Sequence, residues 1–183
     1  FTILHTGSLN ADRNPVFFWR FLAEEVSRNT TLKSRLKIQL VGAVDVSVLQ
    51  SLNELGLSTY LGQKPFIPHQ EVIELMSSCS LLLLPLNNVK NQQGIIPGKL
   101  FEYLASNQAI LAIGPKTGDS AQILQGQANT LVIDFDEMPE WTQIEALCQG
   151  EINRTETLQK YSRQELAKEM SGYMNELILK SSK

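Results

Sequence analysis

The chain is poor in residues that would staple or metallate a small fold. It has 183 residues but only two cysteines, Cys79 and Cys148, and two histidines, His5 and His69. Two cysteines build no disulfide framework, and with two histidines they offer no ordinary zinc set. Both thiols read as buried groups of a reducing compartment. Charge of either sign is scarce: 19% charged residues and a net charge of −3 leave no basic face for nucleic acid or an anionic membrane. Long apolar runs are missing too. Leu81–Leu84, bounded by Ser80 and Pro85, has the length of a buried strand and falls far short of a bilayer span. With 11 glycines and 7 prolines, collagen-like and low-complexity classes drop out, and 43% apolar residues argue against disorder. No signal peptide is visible. The chain opens without Met, inside a strand-like pattern at Phe1-Thr2-Ile3-Leu4, which is expected of a piece of something longer.

What is present alternates. Short apolar runs predict strands at about 2–6, 36–41, 57–61, 80–85, 109–113 and 130–134. Helical patterns fall between them at about 14–28, 44–55, 69–78, 98–106 and 118–125. This alternation predicts an α/β fold: a Rossmann-like, doubly wound parallel sheet of about six strands with helices on both faces, in one domain over 1–183. Glycines 7, 42, 62 and 114 are expected at strand ends, where the chain turns sharply. Asn14 is the expected cap of the first helix, with Pro15 in its first turn, and Asp45 the cap of the second. Glu140–Gln149, Glu156–Tyr161 and Arg163–Leu179 read as C-terminal helices that cap the sheet or dock on a partner domain.

Ligands of parallel sheets bind beyond the strand C-termini, where the strand order reverses. Two loops are expected there: residues 6–13 after the first strand and the long polar 86–97 after the fourth. The second runs into Gly94-Ile95-Ile96-Pro97-Gly98-Lys99-Leu100-Phe101-Glu102-Tyr103-Leu104-Ala105. A helix start there presents free amides and partial positive charge, which suits phosphate. Lys99 and Glu102, three apart, lie on one side of that helix. A carboxylate at 102 can accept both hydroxyls of a ribose; the structural alternative is a surface Lys–Glu pair opening a helix. Arg13 is a second phosphate candidate, against a solvated loop arginine. His69 reads as a capping or surface residue. The segment misses a P-loop by one residue between its glycines and has Leu100 where magnesium needs Ser or Thr. Gly7 lacks the following glycines of a dinucleotide fingerprint, and no Gly-x-Ser-x-Gly elbow exists.

Thr6-Gly7-Ser8, Arg13-Asn14-Pro15, Val41-Gly42, Phe66-Ile67-Pro68-His69, Leu84-Pro85-Leu86, Pro97-Gly98-Lys99-Leu100-Phe101-Glu102-Tyr103-Leu104-Ala105 and Ile113-Gly114-Pro115 follow one another in this order. Over about 2–135 they resemble the C-terminal, donor-binding domain of GT-B-fold glycosyltransferases, of the group 1 or family 4-like kind in bacterial surface-polysaccharide synthesis. The resemblance implies that Glu102 holds the ribose, that Ile95, Ile96, Gly98 and Lys99 meet the diphosphate with Gly7, Ser8 and Arg13 opposite, and that Lys64 and Phe66 pack on the base. It departs from the family twice. Gly94 stands where a glutamate usually lies eight positions before Glu102, and Ser8 where an arginine often follows the first glycine.

The resemblance further implies a UDP- or GDP-sugar donor, no metal or other cofactor, and transfer of a hexosyl group to a hydroxyl acceptor. The isolated chain is expected to be inactive without an N-terminal acceptor domain of the same polypeptide, through which the enzyme would associate with a membrane. Its expected place is the cytoplasm, at the inner face of that membrane; no nucleic-acid partner is expected. Two alternatives stay open: a sugar-nucleotide epimerase of the same fold, and a non-catalytic α/β nucleotide-binding or signalling module.

Overall fold

The computed structural model describes residues 1–149 and 159–181. Six strands form one sheet: β1 (Thr2–Thr6), β2 (Lys37–Val41), β3 (Leu61–Lys64), β4 (Leu81–Pro85), β5 (Ala109–Ile113) and β6 (Thr130–Ile133). Their order is β3-β2-β1-β4-β5-β6, and every neighbouring pair is parallel. This is the expected doubly wound Rossmann-like sheet, with its reversal between β1 and β4.

Among the described residues, seven helices flank or follow the strands: α1 (Val16–Arg28), α2 (Thr30–Arg35), α3 (Val46–Glu54), α4 (His69–Ser78), α5 (Lys99–Ala105), α6 (Asp119–Leu124) and α7 (Trp141–Leu147); a longer C-terminal helix spans Arg163–Ser181. The two sheet faces follow from the alternation of side chains along each strand. Ile3, Ile38, Leu40, Leu83 and Leu111 point into one core with Phe18, Trp19 and Leu22 of α1, Val48 and Leu52 of α3 and Ile144 of α7. Leu4, Val41, Leu82, Leu84 and Ile110 point into the other with Met76 of α4, Leu100, Tyr103 and Leu104 of α5 and Leu124 of α6. Strands buried on both faces need no polar alternation, which is why β4 and β5 read as continuous apolar runs. Each large side chain buried in these layers contributes roughly 1.5–3 kcal/mol.

Four local expectations need correction. The third strand runs over Leu61–Lys64, not 57–61: Leu57 packs in the core and Ser58–Tyr60 form a short 3-10 turn. β3 is an edge strand with exposed Gln63 and Lys64, so it carries little apolar signal, and Gly62 lies within it rather than at its end. α2 is an addition, started by Asn29, whose side-chain oxygen accepts from the Leu32 amide at 2.9 Å. Asn14 does not cap α1. Its amide donates to the Ser47 carbonyl and the Ser51 hydroxyl, and its oxygen accepts from Trp19 Nε1 at 3.1 Å, so it ties α1 to α3 instead. Asp45 does cap α3, accepting from the Ser47 amide at 2.9 Å.

Of the expected helix at 156–161, residues 156–158 lie outside the described residues. α7 covers the sheet as expected. The C-terminal helix does not: Met170, Tyr173, Met174 and Leu177 on it are exposed. No helix among the described residues is long and apolar enough to cross a membrane.

Candidate functional site

The end of β1 organises the site. β1 pairs with β4 only through Ile3 and Leu4, so the backbone of Thr6 must find partners elsewhere on that side. α5 supplies them. The Tyr103 hydroxyl accepts from the Thr6 amide at 3.0 Å, and Lys99 Nζ donates to the Thr6 carbonyl at 2.5 Å. Lys99 and Tyr103 are four residues apart and share one helix face, so one short helix clasps both backbone groups of one residue. Burial pushes the Tyr103 hydroxyl up to about 12, which keeps it protonated.

Beyond Thr6 the chain turns at Gly7, whose φ is +87°. A Cβ there would lie 3.0 Å from Lys99 Nζ. The following strand turns at Gly42, where φ is +119° and a Cβ would come 2.6 Å from the Gly7 carbonyl oxygen. Both glycines are thus demanded by backbone conformation and by close approach.

Lys99 Nζ also lies 3.3 Å from His5 Nε2. The other ring nitrogen of His5, Nδ1, is 3.0 Å from the Leu83 carbonyl. Burial first, then the Lys99 charge, push His5 down to about 3, against the opposing pull of the Leu83 and Ser8 carbonyls. Burial and the nearby Arg13 hold the Lys99 amine down to about 8, with Glu102 pulling the other way. Lys99 does not pair with Glu102: among the described residues no carboxylate oxygen lies within 4.0 Å of its amine. The two side chains therefore make no surface ion pair, and Glu102 lies exposed at the rim in the first turn of α5.

A pocket of about 230 Å³ opens over this corner, lined by Thr6, Gly7, Phe66, Ile67, Lys99 and Glu102, with His69, Val41 and Val72 completing the wall. Four of the residues singled out in the sequence therefore share it: Gly7, Phe66, Lys99 and Glu102. Phe66 is 68% exposed beside it, and Lys64 is exposed at the end of β3.

Arg13 lies on the neighbouring flank. Its Nε donates to Asn87 Oδ1 at 2.9 Å, Asn87 Nδ2 donates to Asp12 Oδ2 at 2.5 Å, and the Asn88 amide donates to the Asp12 carbonyl at 2.8 Å. These bonds join the loops after β1 and β4, as the strand reversal requires. Arg13 lines a separate pocket of about 360 Å³. Ser8 offers it a carbonyl at 3.4 Å. The Ile95 carbonyl accepts from the buried Ser120 hydroxyl at 2.6 Å, while Ile96 and Gly98 are exposed before α5. The nearest atom to a Cβ at Gly94 would be Asp119 Oδ2, 4.0 Å away.

His5 and Tyr103 escape a sequence reading. Their partners are 78 and 97 positions away, and only the four-residue spacing of Lys99 and Tyr103 hints at a shared face. A larger cavity of about 600 Å³ lies at the opposite end of the sheet, around Phe1, Ser80 and Gln108. It holds both thiols, which burial pushes up to about 12 for Cys79 and about 11 for Cys148, as expected of inert cysteines.

No protein-family model matches the chain, and no curated protein does. Solved structures share its fold. The sucrose-phosphate synthase of Thermosynechococcus elongatus superposes with a TM-score of 0.68 at 12% identity, over 97% of this chain and 45% of that one. WaaG, a glycosyltransferase involved in lipopolysaccharide biosynthesis, gives a TM-score of 0.57 at 20% identity, over 81% of this chain and 38% of that one. The C-terminal domain of a glycosyl transferase group 1 family protein from Francisella tularensis gives 0.53 at 15% identity, over 80% of this chain and 71% of that one. At these identities the likeness is one of fold. The chain spans less than half the length of the sucrose-phosphate synthase and of WaaG.

Proposed function

We propose that this chain is the donor-binding part of a glycosyltransferase and that its β1–α5 corner holds the nucleoside diphosphate of a UDP- or GDP-sugar. The observation that carries this reading is that Lys99 and Glu102 line one pocket at the strand reversal and, among the described residues, neither makes an ion pair within 4.0 Å. A diphosphate supplies the missing anion for Lys99. A ribose supplies two hydroxyl donors for Glu102. Phe66 offers an exposed ring on which a base can stack.

In such a transfer the bond between the sugar's anomeric carbon and the diphosphate breaks, and an acceptor hydroxyl forms the new bond. Negative charge grows on the leaving diphosphate. Preorganised donors stabilise it best when they need not move during the step. Lys99 is held by Thr6 and His5 before any ligand arrives, and Arg13 is held by Asn87. The acceptor site and the sugar-polymer context belong to the same proposal, with the acceptor carried by a second domain.

Titration calorimetry with UDP, GDP and ADP, together with a sugar-transfer assay, tests the reading. Weak binding of at least one of the three and no turnover by this chain alone are expected. Binding of none would overturn it.

A further inference from the structure

His5 is 1% exposed, one residue before the end of β1. A carbonyl only accepts, and of the two carbonyls that act on the ring, Leu83 and Ser8, Leu83 acts more strongly, so its 3.0 Å contact places the ring's hydrogen on Nδ1. In the neutral ring Nε2 is then an acceptor, and it faces Lys99 Nζ at 3.3 Å. An ammonium has three hydrogens. One is taken by Thr6, one by His5, and the third is left for the pocket that Gly7 keeps open. The charged or titratable groups around the amine are His5 from β1, Arg13 from the loop after it, Glu102 from the same helix and His69 at the start of α4 across the pocket. Arg13 opposes a positive charge on the amine, Glu102 favours one, and His5 offers it a neutral acceptor.

We propose that His5 is a positioning residue that aims Lys99 at the ligand's phosphate, and that a nucleoside diphosphate entering the pocket draws one proton from solvent onto Lys99 Nζ whenever the amine is neutral. This rests on the reading of the pocket as a nucleoside diphosphate site. The proton comes from water or buffer acid and goes to the lone pair of Nζ; no other bond changes. His5 stays neutral throughout. A proton on Nε2 would set two donors face to face and add a second buried cation. The amine is thus the group that answers the anion, and the imidazole fixes where it stands.

One test needs no ligand. The Lys99 amine is titrated by NMR of carbon-13-labelled lysine side chains in the wild type, His5→Gln and His5→Leu. Glutamine keeps both a donor for Leu83 and an acceptor for Lys99, so its Lys99 should titrate close to the wild type, near 8. Leucine removes the acceptor that favours the ammonium, so its Lys99 should titrate lower; His5→Asn, too short to reach, serves if His5→Leu does not fold. An unchanged Lys99 titration in the variants lacking the acceptor overturns the positioning role.

The second test is calorimetry of UDP and GDP at pH 7 and pH 9 in buffers of different ionisation heat. Affinity should fall about tenfold from pH 7 to pH 9, with proton uptake approaching one per ligand at the higher pH. Lys99→Arg, charged at both pH values, should bind without uptake. UDP or GDP binding with equal affinity and no uptake at pH 9 overturns the proton linkage alone. Absence of binding at both pH values overturns the nucleotide reading and the linkage with it, while the lysine titration still decides the role of His5.

Discussion

Tyr103→Phe isolates the clasp that builds the site. The ring is fully buried at 0% exposure and the change removes a single oxygen, so no cavity of consequence opens. What is lost is the acceptor for the Thr6 amide at 3.0 Å and a weaker partner of the Thr6 hydroxyl at 3.3 Å. Thr6 is itself buried, so water does not replace the acceptor freely. A buried donor left unpaired costs about 1–3 kcal/mol. For a chain of this length a loss of about 2 kcal/mol lowers Tm by roughly 4–8 °C. Lys99 still holds the Thr6 carbonyl, so β1 should stay in the sheet and the far-ultraviolet circular dichroism should not change. Urea titration monitored by tryptophan fluorescence reads the loss directly, since Trp19 is buried in the core. A change below about 0.5 kcal/mol would mean that the Tyr103 hydroxyl does not hold the Thr6 amide, because ordinary surface substitutions stay in that range.

Other perturbations should respond in graded ways. Gly42→Ala should destabilise by more than about 2 kcal/mol, since positive φ and a 2.6 Å approach to Gly7 act together, whereas Gly56→Ala, at φ +71° with open space, should cost only about 1 kcal/mol; denaturant titration of both checks the contrast. Acid should unfold the protein partly through His5. Its folded value is depressed from 6.5 to about 3, so its contribution to stability is present above pH 6.5 and is lost as pH falls through that window, by roughly 1.4 kcal/mol per pH unit. His5→Gln should flatten that part of the Tm-against-pH curve; parallel curves for the two proteins would contradict it.

The sheet is legible in the sequence because its inner strands are buried on both faces and must be apolar throughout. Leu81–Leu84 and Ala109–Ile113 leave no other reading once glycine or proline bounds them. β3 is not legible, since an edge strand with Gly62, Gln63 and Lys64 has no apolar face to display. Asn14 misleads for a related reason. Its side chain has the chemistry of a helix cap, but tertiary partners on α3 and Trp19 outcompete the local amides.

The site divides the same way. Lys99 and Glu102 stand out because proline, glycine and a helix start surround them. The roles of His5 and Tyr103 depend on α5 reaching the end of β1 across more than ninety residues, and no local pattern encodes that approach.

Glu102 carries the ribose side of the proposed site. It is solvent-exposed and, among the described residues, makes no ion pair within 4.0 Å, so Glu102→Gln should leave Tm almost unchanged. A carboxylate can accept both ribose hydroxyls, whereas an amide accepts through one oxygen only. Calorimetry of UDP and 2′-deoxy-UDP with the wild type and Glu102→Gln, beside a thermal melt of each, is therefore the most direct measurement. A ribose held by Glu102 requires a loss of about 1–3 kcal/mol in UDP affinity, a smaller loss for the deoxy nucleotide, and equal melting temperatures. A variant that melts early and binds UDP normally would contradict it.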